Sequence, residues 1–252
     1  MAAFSQVEAS RGALTHDFAM YWQALYLIAH GDLNPYSSLI GAPFYTNHVE
    51  LIMWTLASLY YLWPHQVLLL WIQDAAAAGG CLVAFLWTLD FIGQADGAWK
   101  AWAGPGLALL LLAANPWVYW AIGFDYHTEA IAGLFALLCS WMLYRGRSRE
   151  SIAWAALLLL CGNVAATYLV GIGLMAFTLG PKTRRAGIAY IAAVAVYLAI
   201  LQVTHSGQGA FGTIYGYLAG PHAVTQAFRR LRPAPLRIQR GRSQTCESTA
   251  ST

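Results

Sequence analysis

Residues 66–92 run for 27 positions with only two charged side chains, Asp74 and Asp90. As a helix this segment is about 40 Å long, enough to cross a bilayer with tilt. Further apolar runs follow at 104–122, 127–144, 151–162, 164–179 and 186–204. Such runs cannot all be hidden inside a soluble domain of this length. The chain has 252 residues, 59% hydrophobic and 10% charged, against roughly 25% charged in a typical soluble domain. The composition is that of an integral membrane protein.

Before the first long run, 13–30 carries Phe18, Tyr21, Trp22, Leu25, Ile28 and Ala29 at helical spacing, which predicts an amphipathic helix at the membrane boundary. "HGDLNPYSS" (30–38) breaks it. The apolar stretch 47–63 has about 15 residues before Pro64, too few to cross, and reads as a second surface-lying helix. The expected organisation is therefore an N-terminal remnant (1–12), interfacial helices (13–65), a transmembrane helical region (66–220) and a basic tail (221–252). The fold class is all-α, multi-pass, with interfacial helices on the outer side.

Lys and Arg favour the cytoplasmic side. Placing Lys100, the cluster Arg145, Arg147 and Arg149, and the cluster Lys182, Arg184 and Arg185 there puts "FDYHTE" and "GN" (Gly162–Asn163) outside. Six of the seven histidines and five of the 11 acids then share that side. Six of the 14 basic residues follow Gly220, and this tail shows little apolar periodicity. It reads as a shifted frame or a disordered basic segment. Up to Gly220 there are 8 basic and 10 acidic residues, with no groove for a nucleic acid. The first 15 residues lack the order of a signal peptide, so a membrane helix is expected to be missing before Arg11. Cys81, Cys139, Cys161 and Cys246 contain no C-x-x-C pair and read as small buried hydrophobes.

"GFDYHTEA" (123–130) is the most polar interruption. Asp125 and Glu129 share a face if the segment is helical. In an extended turn His127 joins them. A capped helix start is one reading of these acids. Boundary acids that act chemically are the other. Asp125, His127 and Glu129 are also the candidate ligands for a divalent metal, although their spacing is not that of H-x-x-x-H. Asp17, on the first interfacial helix, is placed to deprotonate a hydroxyl. His48 and Glu50 begin the second interfacial helix and are candidate substrate-binding groups with His127. Asp74 lies about two turns into the 66–92 run, where an isolated carboxylate costs about 2.5–3.5 kcal/mol on insertion scales. It should meet a polar cavity, Gln73, Asn115 or a histidine. Gly104 and Pro105 start a span, and Asn163 marks a helix end. No Walker loop, G-x-S-x-G, H-E-x-x-H or dinucleotide fingerprint occurs.

The blocks "THDFAMYWQALYLIAHGDLNPYSS", "NHVELIMWTLASLYYLWPHQVLLLWIQDAA", "NPWVYWAIGFDYHTEAIAGLFALLCSWMLYRGR" and "CGNVAATYLVGIGL" resemble, over roughly residues 12–180, a bacterial family of multi-pass membrane proteins of unknown function. Its marks are an Asp-x-x-x-x-x-Gln helix followed by "HG", a His-Phe-Ser-Pro-like start and a Phe-Asp-Phe-His-Pro-Glu-like motif. Here Thr128 replaces the Pro, His48–Val49–Glu50 replaces His-Phe-Ser, and Gly162–Asn163–Val164 stands where a Lys-Glu-Asp-like motif is expected. The family is similar in layout to the GT-C membrane glycosyltransferases, which use polyprenyl-phosphate sugars. That resemblance implies Asp17 as the base, with Asp125 and Glu129 assisting through a metal or the acceptor. The expected function is sugar transfer at the outer leaflet of the cell membrane, with membrane lipid and a polyprenyl-phosphate sugar donor as partners. The alternatives are a non-catalytic lipid- or solute-binding or transport protein, and an inactive fragment.

Overall fold

Two helices are long and apolar enough to cross a membrane, Leu68–Ile92 with a mean hydropathy of 1.7 and Pro181–Thr204 with 2.1. They belong to an all-α protein. The computed structural model describes residues 16–92, 98–115, 118, 123 and 125–204. The described residues lie within one compact unit, Met1–Ala210. Residues 1–12, the tail 221–252, His205 and most of the 116–124 stretch lie outside them.

Eight helices are described: α1 (His16–Ala29), α2 (Ile52–Leu62), α3 (Leu68–Ile92), α4 (Ala98–Ala113), α5 (Glu129–Tyr144), α6 (Ser148–Leu160), α7 (Asn163–Leu179) and α8 (Pro181–Thr204). A two-residue hairpin, β1 (Tyr36–Ser37) against β2 (Ala42–Pro43), joins α1 to a 3₁₀ turn at Phe44–Thr46. Gly41 has φ +67 in that hairpin, a conformation glycine adopts without steric cost.

α5, α6 and α7 have 16, 13 and 17 residues, shorter than the roughly 20 that span a hydrocarbon core. Their boundaries differ from the expected ones for local reasons. α8 begins at Pro181, so Lys182, Arg184 and Arg185 sit in its opening turns and not in a loop. Gly180, at φ +128, ends α7, and proline is preorganised for the next helix start. Pro105 lies inside α4 and does not open it. His48 and Glu50 precede α2, which begins only at Ile52.

The core runs from Phe18, Met20, Tyr21 and Leu25 of α1 through Met53 and Leu56 of α2 and Leu69 of α3 to Leu143, Leu158 and Leu169. At the far end of α3, Asp90 accepts from the Trp141 indole at 2.7 Å and pairs with Arg145 at 3.4 Å. Within the bundle, Ser151 joins α5, α6 and α8. Its hydroxyl donates to the Cys139 carbonyl at 2.8 Å and lies 2.6 Å from the Tyr190 hydroxyl. Cys81, Cys139 and Cys161 are free thiols, the last two buried.

α7 and α8 approach through glycine. A Cβ on Gly187 would sit 2.6 Å from the Gly173 carbonyl oxygen and 2.8 Å from the Ala176 Cβ. Small residues of this kind let apolar helices pack backbone to backbone. Gly171, two residues before Gly173 and on the other side of α7, has nothing within 4 Å of such an atom. Gly187→Ala should therefore lower stability by about 1–3 kcal/mol, as overpacking does. Gly171→Ala should be neutral or stabilising by up to about 1 kcal/mol. Thermal unfolding of the two variants in detergent decides; equal effects would contradict the close crossing.

Candidate functional site

The 125–128 turn anchors one part of the site. It is not helical; the helix starts at Glu129. Its backbone therefore needs partners from elsewhere in the chain. Gln73 of α3 supplies them. Its Nε2 donates to the Asp125 carbonyl at 2.9 Å, and its Oε1 accepts from the His127 amide at 2.7 Å. The Asp125 carboxylate accepts from the Tyr126 amide at 3.0 Å and from the Phe18 amide in the first turn of α1 at 3.1 Å. An acid at a helix N-terminus satisfies an otherwise unpaired N–H and the helix dipole together.

This contact fixes α1 against the turn and brings Asp17 to His127. Their carboxylate and ring nitrogen are 3.8 Å apart, with side chains 44% and 34% exposed. His16 stands beside them, 3.7 Å from the other Asp17 oxygen. This is a partly exposed proton-accepting group paired with a titratable ring.

Deeper in, Tyr21 donates to Glu50 Oε1 at 2.8 Å, and its oxygen is 3.3 Å from His48 Nδ1. His48 Nδ1 is itself 3.5 Å from Glu50 Oε1. The Tyr21 ring meets Phe44, His48 and Tyr126 edge-on, at 5.6, 5.5 and 5.1 Å. Burial first, then the negative charges of Glu50 and Glu129, hold the Tyr21 phenol well above its ordinary pKa, so it remains a donor. Tyr126 is raised likewise, by burial and by the charges of Glu50, Cys161 and Glu129. Gly162 faces Glu50 at φ +106, and a Cβ there would lie 2.9 Å from Glu50 Cγ. Thr128 donates to the Cys161 carbonyl at 3.2 Å, tying the start of α5 to the α6–α7 turn. Asn163 opens α7, and its Oδ1 accepts from Tyr197 at 3.1 Å.

Asp17, His48, Glu50, Asp125, His127 and Glu129 thus gather at one end of the bundle. Asp74 is buried in α3 beside Gln73, at 4% exposure. Sequence reasoning missed Tyr21, assigned only to an apolar face, and Gln73, considered only as a partner for Asp74. A glutamine inside a long apolar run was the available signal. Among the described residues no group of three or more His, Cys, Asp and Glu side chains is arranged to hold an ion. Asp125 spends its oxygens on backbone amides, and His127 turns toward Asp17.

Beside the site, Ala76, Ala77 and Gly80 of α3, Leu134 and Leu137 of α5 and Tyr168 of α7 line an apolar groove of about 430 Å³. Long apolar helices, an apolar groove and acids gathered at one end define a membrane protein with a polar site. The chain belongs to the family of predicted membrane proteins DUF2079, whose function is unknown and whose model matches residues 13–218. No curated protein and no solved structure matches it.

If Gln73 holds the turn, Gln73→Leu strands the Asp125 carbonyl and the His127 amide. Each buried polar group left unpaired costs about 1–3 kcal/mol. Hydrogen exchange should show the His127 amide losing protection while the middle of α3 keeps its own. Unchanged protection would remove Gln73 from this role.

Proposed function

We propose that this protein is a GT-C-like transferase that moves a sugar from a polyprenyl-phosphate carrier at the outer leaflet of the cell membrane. The observation that carries this reading is the Asp17–His127 pair, partly exposed and held by the Asp125–Phe18 contact. In the reaction an acceptor hydroxyl gives its proton to Asp17 as it attacks the anomeric carbon. The bond from that carbon to the carrier phosphate breaks, and the carrier phosphate leaves with the electron pair. His127, against the Asp17 carboxylate, orients it and tunes its basicity. Asp125 acts by positioning, since its oxygens hold the turn and α1. The apolar groove along α3 and α5 suits the isoprenoid chain.

Native mass spectrometry of the protein purified from membranes tests this. A co-purified polyprenyl-phosphate or lipid-linked sugar is expected. Asp17→Asn should retain the sugar-charged donor, because binding survives and proton removal does not. Bulk phospholipid alone, unchanged in the variant, would end the transferase reading.

A second reading, a non-catalytic carrier of a lipid or polar solute, draws on the buried Glu50 and the partly buried Glu129. Solute uptake into vesicles that depends on Glu50 or Glu129, with no product formed, would favour it.

Both readings need the site on the outer side of a multi-pass chain. With the native cysteines replaced, Asn34→Cys and Arg149→Cys should react with an impermeant maleimide from opposite faces of the membrane. Asn34 lies in an exposed loop after α1, and Arg149 is exposed at the start of α6. Labelling from the same face would overturn the topology.

A further inference from the structure

Three buried oxygens of the site have no hydrogen-bond partner among the described residues: Glu50 Oε2, Glu129 Oε2 and the Tyr126 hydroxyl. They belong to one neighbourhood. Tyr21 bonds Glu50 and packs edge-on against Tyr126, and Thr128, the residue before Glu129, bonds the Cys161 carbonyl next to the Gly162 that faces Glu50. Tyr126 is fully buried and Glu50 is 6% exposed. Among the described residues, no Lys or Arg forms an ion pair with either acid. His48 approaches Glu50 only through Oε1, the oxygen that Tyr21 already occupies. Oε2 is left for something else.

The surroundings are built to keep Glu50 in this position. Gly162 leaves the space its Cγ fills, since a Cβ at 162 would stand 2.9 Å away. The Val49 carbonyl, next in the chain, is held by the Tyr197 hydroxyl at 3.4 Å. A buried carboxylate, Glu50, beside a partly buried one whose Oε2 is sealed from solvent, Glu129, is unfavourable without a countercharge, so a compensating ligand is the physical expectation. Its charge and donor preference can be read from the atoms available. Two carboxylates carry two negative charges. One proton or one ammonium group cancels half of that; a divalent cation cancels all of it. The unanswered atoms are all oxygens, which suits hard cations rather than zinc or copper.

We propose that Glu50 and Glu129 together hold a divalent cation of the magnesium, calcium or manganese class, with the Tyr126 hydroxyl as a third oxygen donor. Two carboxylates are enough for an ion of this class, because magnesium keeps several of its waters and binds through one or two carboxylates. The site shares only Glu129 with the trio read from sequence spacing. It does not depend on the transferase reading, since cation binding is measured without substrate.

The test uses the full chain in detergent, stripped with a chelator and titrated with manganese(II) under electron paramagnetic resonance. Thermal unfolding is followed in parallel with magnesium and calcium. The expected result is saturable manganese binding and a rise in Tm reversed by chelation. Glu50→Gln and Glu129→Gln, which keep the shape and remove the charge, should each weaken manganese binding at least tenfold. Tyr126→Phe should weaken it severalfold. Glu150→Gln and Asp32→Asn, at exposed acids elsewhere, should leave it unchanged. No saturable manganese binding by the wild-type chain would overturn the proposal, and that measurement needs no variant to fold. Equal binding by both glutamine variants would overturn it as well. So would a wild-type Tm indifferent to all three ions alongside glutamine variants of raised Tm, since the two acids would then share a proton.

Discussion

One carboxylate determines whether this molecule has a site at all. Asp125 accepts the Phe18 amide of α1 and the Tyr126 amide of its own turn. Without that contact, the first turn of α1 would lose its backbone tie to the 125–128 turn, leaving the Tyr21 hydroxyl on Glu50 and the apolar face to hold the helix. Asp17 stands one residue from Phe18, so the same bond that satisfies the helix N-terminus sets its distance to His127. Gln73 completes the arrangement from the other side by pairing both with the carbonyl of Asp125 and with the amide of His127. In so apolar a chain, such polar ties specify position while the apolar contacts supply adhesion.

The acids gathered around this tie fall into two environments. Asp17 is partly exposed, beside two histidines. Glu50 is buried against Tyr21 and within the field of Glu129. The Tyr21 ring lies between the two sets, against His48 and Tyr126. Its phenol stays protonated because burial and two nearby carboxylates oppose its ionisation. It therefore keeps donating to Glu50, leaving one oxygen of that carboxylate for another partner. An exposed acid suits proton exchange with water or an acceptor. A buried acid beside a second carboxylate suits tight binding of a countercharge. The difference follows from depth alone.

Much of this was legible in the sequence. The apolar runs fixed the helices because their length leaves few alternatives, and the scarcity of charge elsewhere singled out 125–129. Local chemistry that overrides hydropathy was harder to read. α8 reaches back to Pro181 because the fixed φ of proline is preorganised for the first helical position. Pro105 sits inside α4, where its missing N–H could not be anticipated from the run. Tyr21 fits an apolar stripe by spacing, and only the tertiary fold shows its hydroxyl on Glu50. Spacing along the chain also does not reveal that the Asp125 carboxylate accepts from two backbone amides.

The departures from the resembled pattern meet one another in the fold. Glu50 stands where that pattern has a serine, Gly162 and Asn163 where it has Lys-Glu-Asp-like residues, and Thr128 where it has proline. In the structure Gly162 makes room for Glu50, and Thr128 donates to the carbonyl of Cys161, the residue before Gly162. An acid at position 50 needs space across from it, and a glycine supplies that space where a larger side chain would clash. A glycine at 162 loosens the α6–α7 turn, and a hydroxyl at 128 ties that turn back to α5, which proline cannot do. Three positions far apart along the chain thus meet in space.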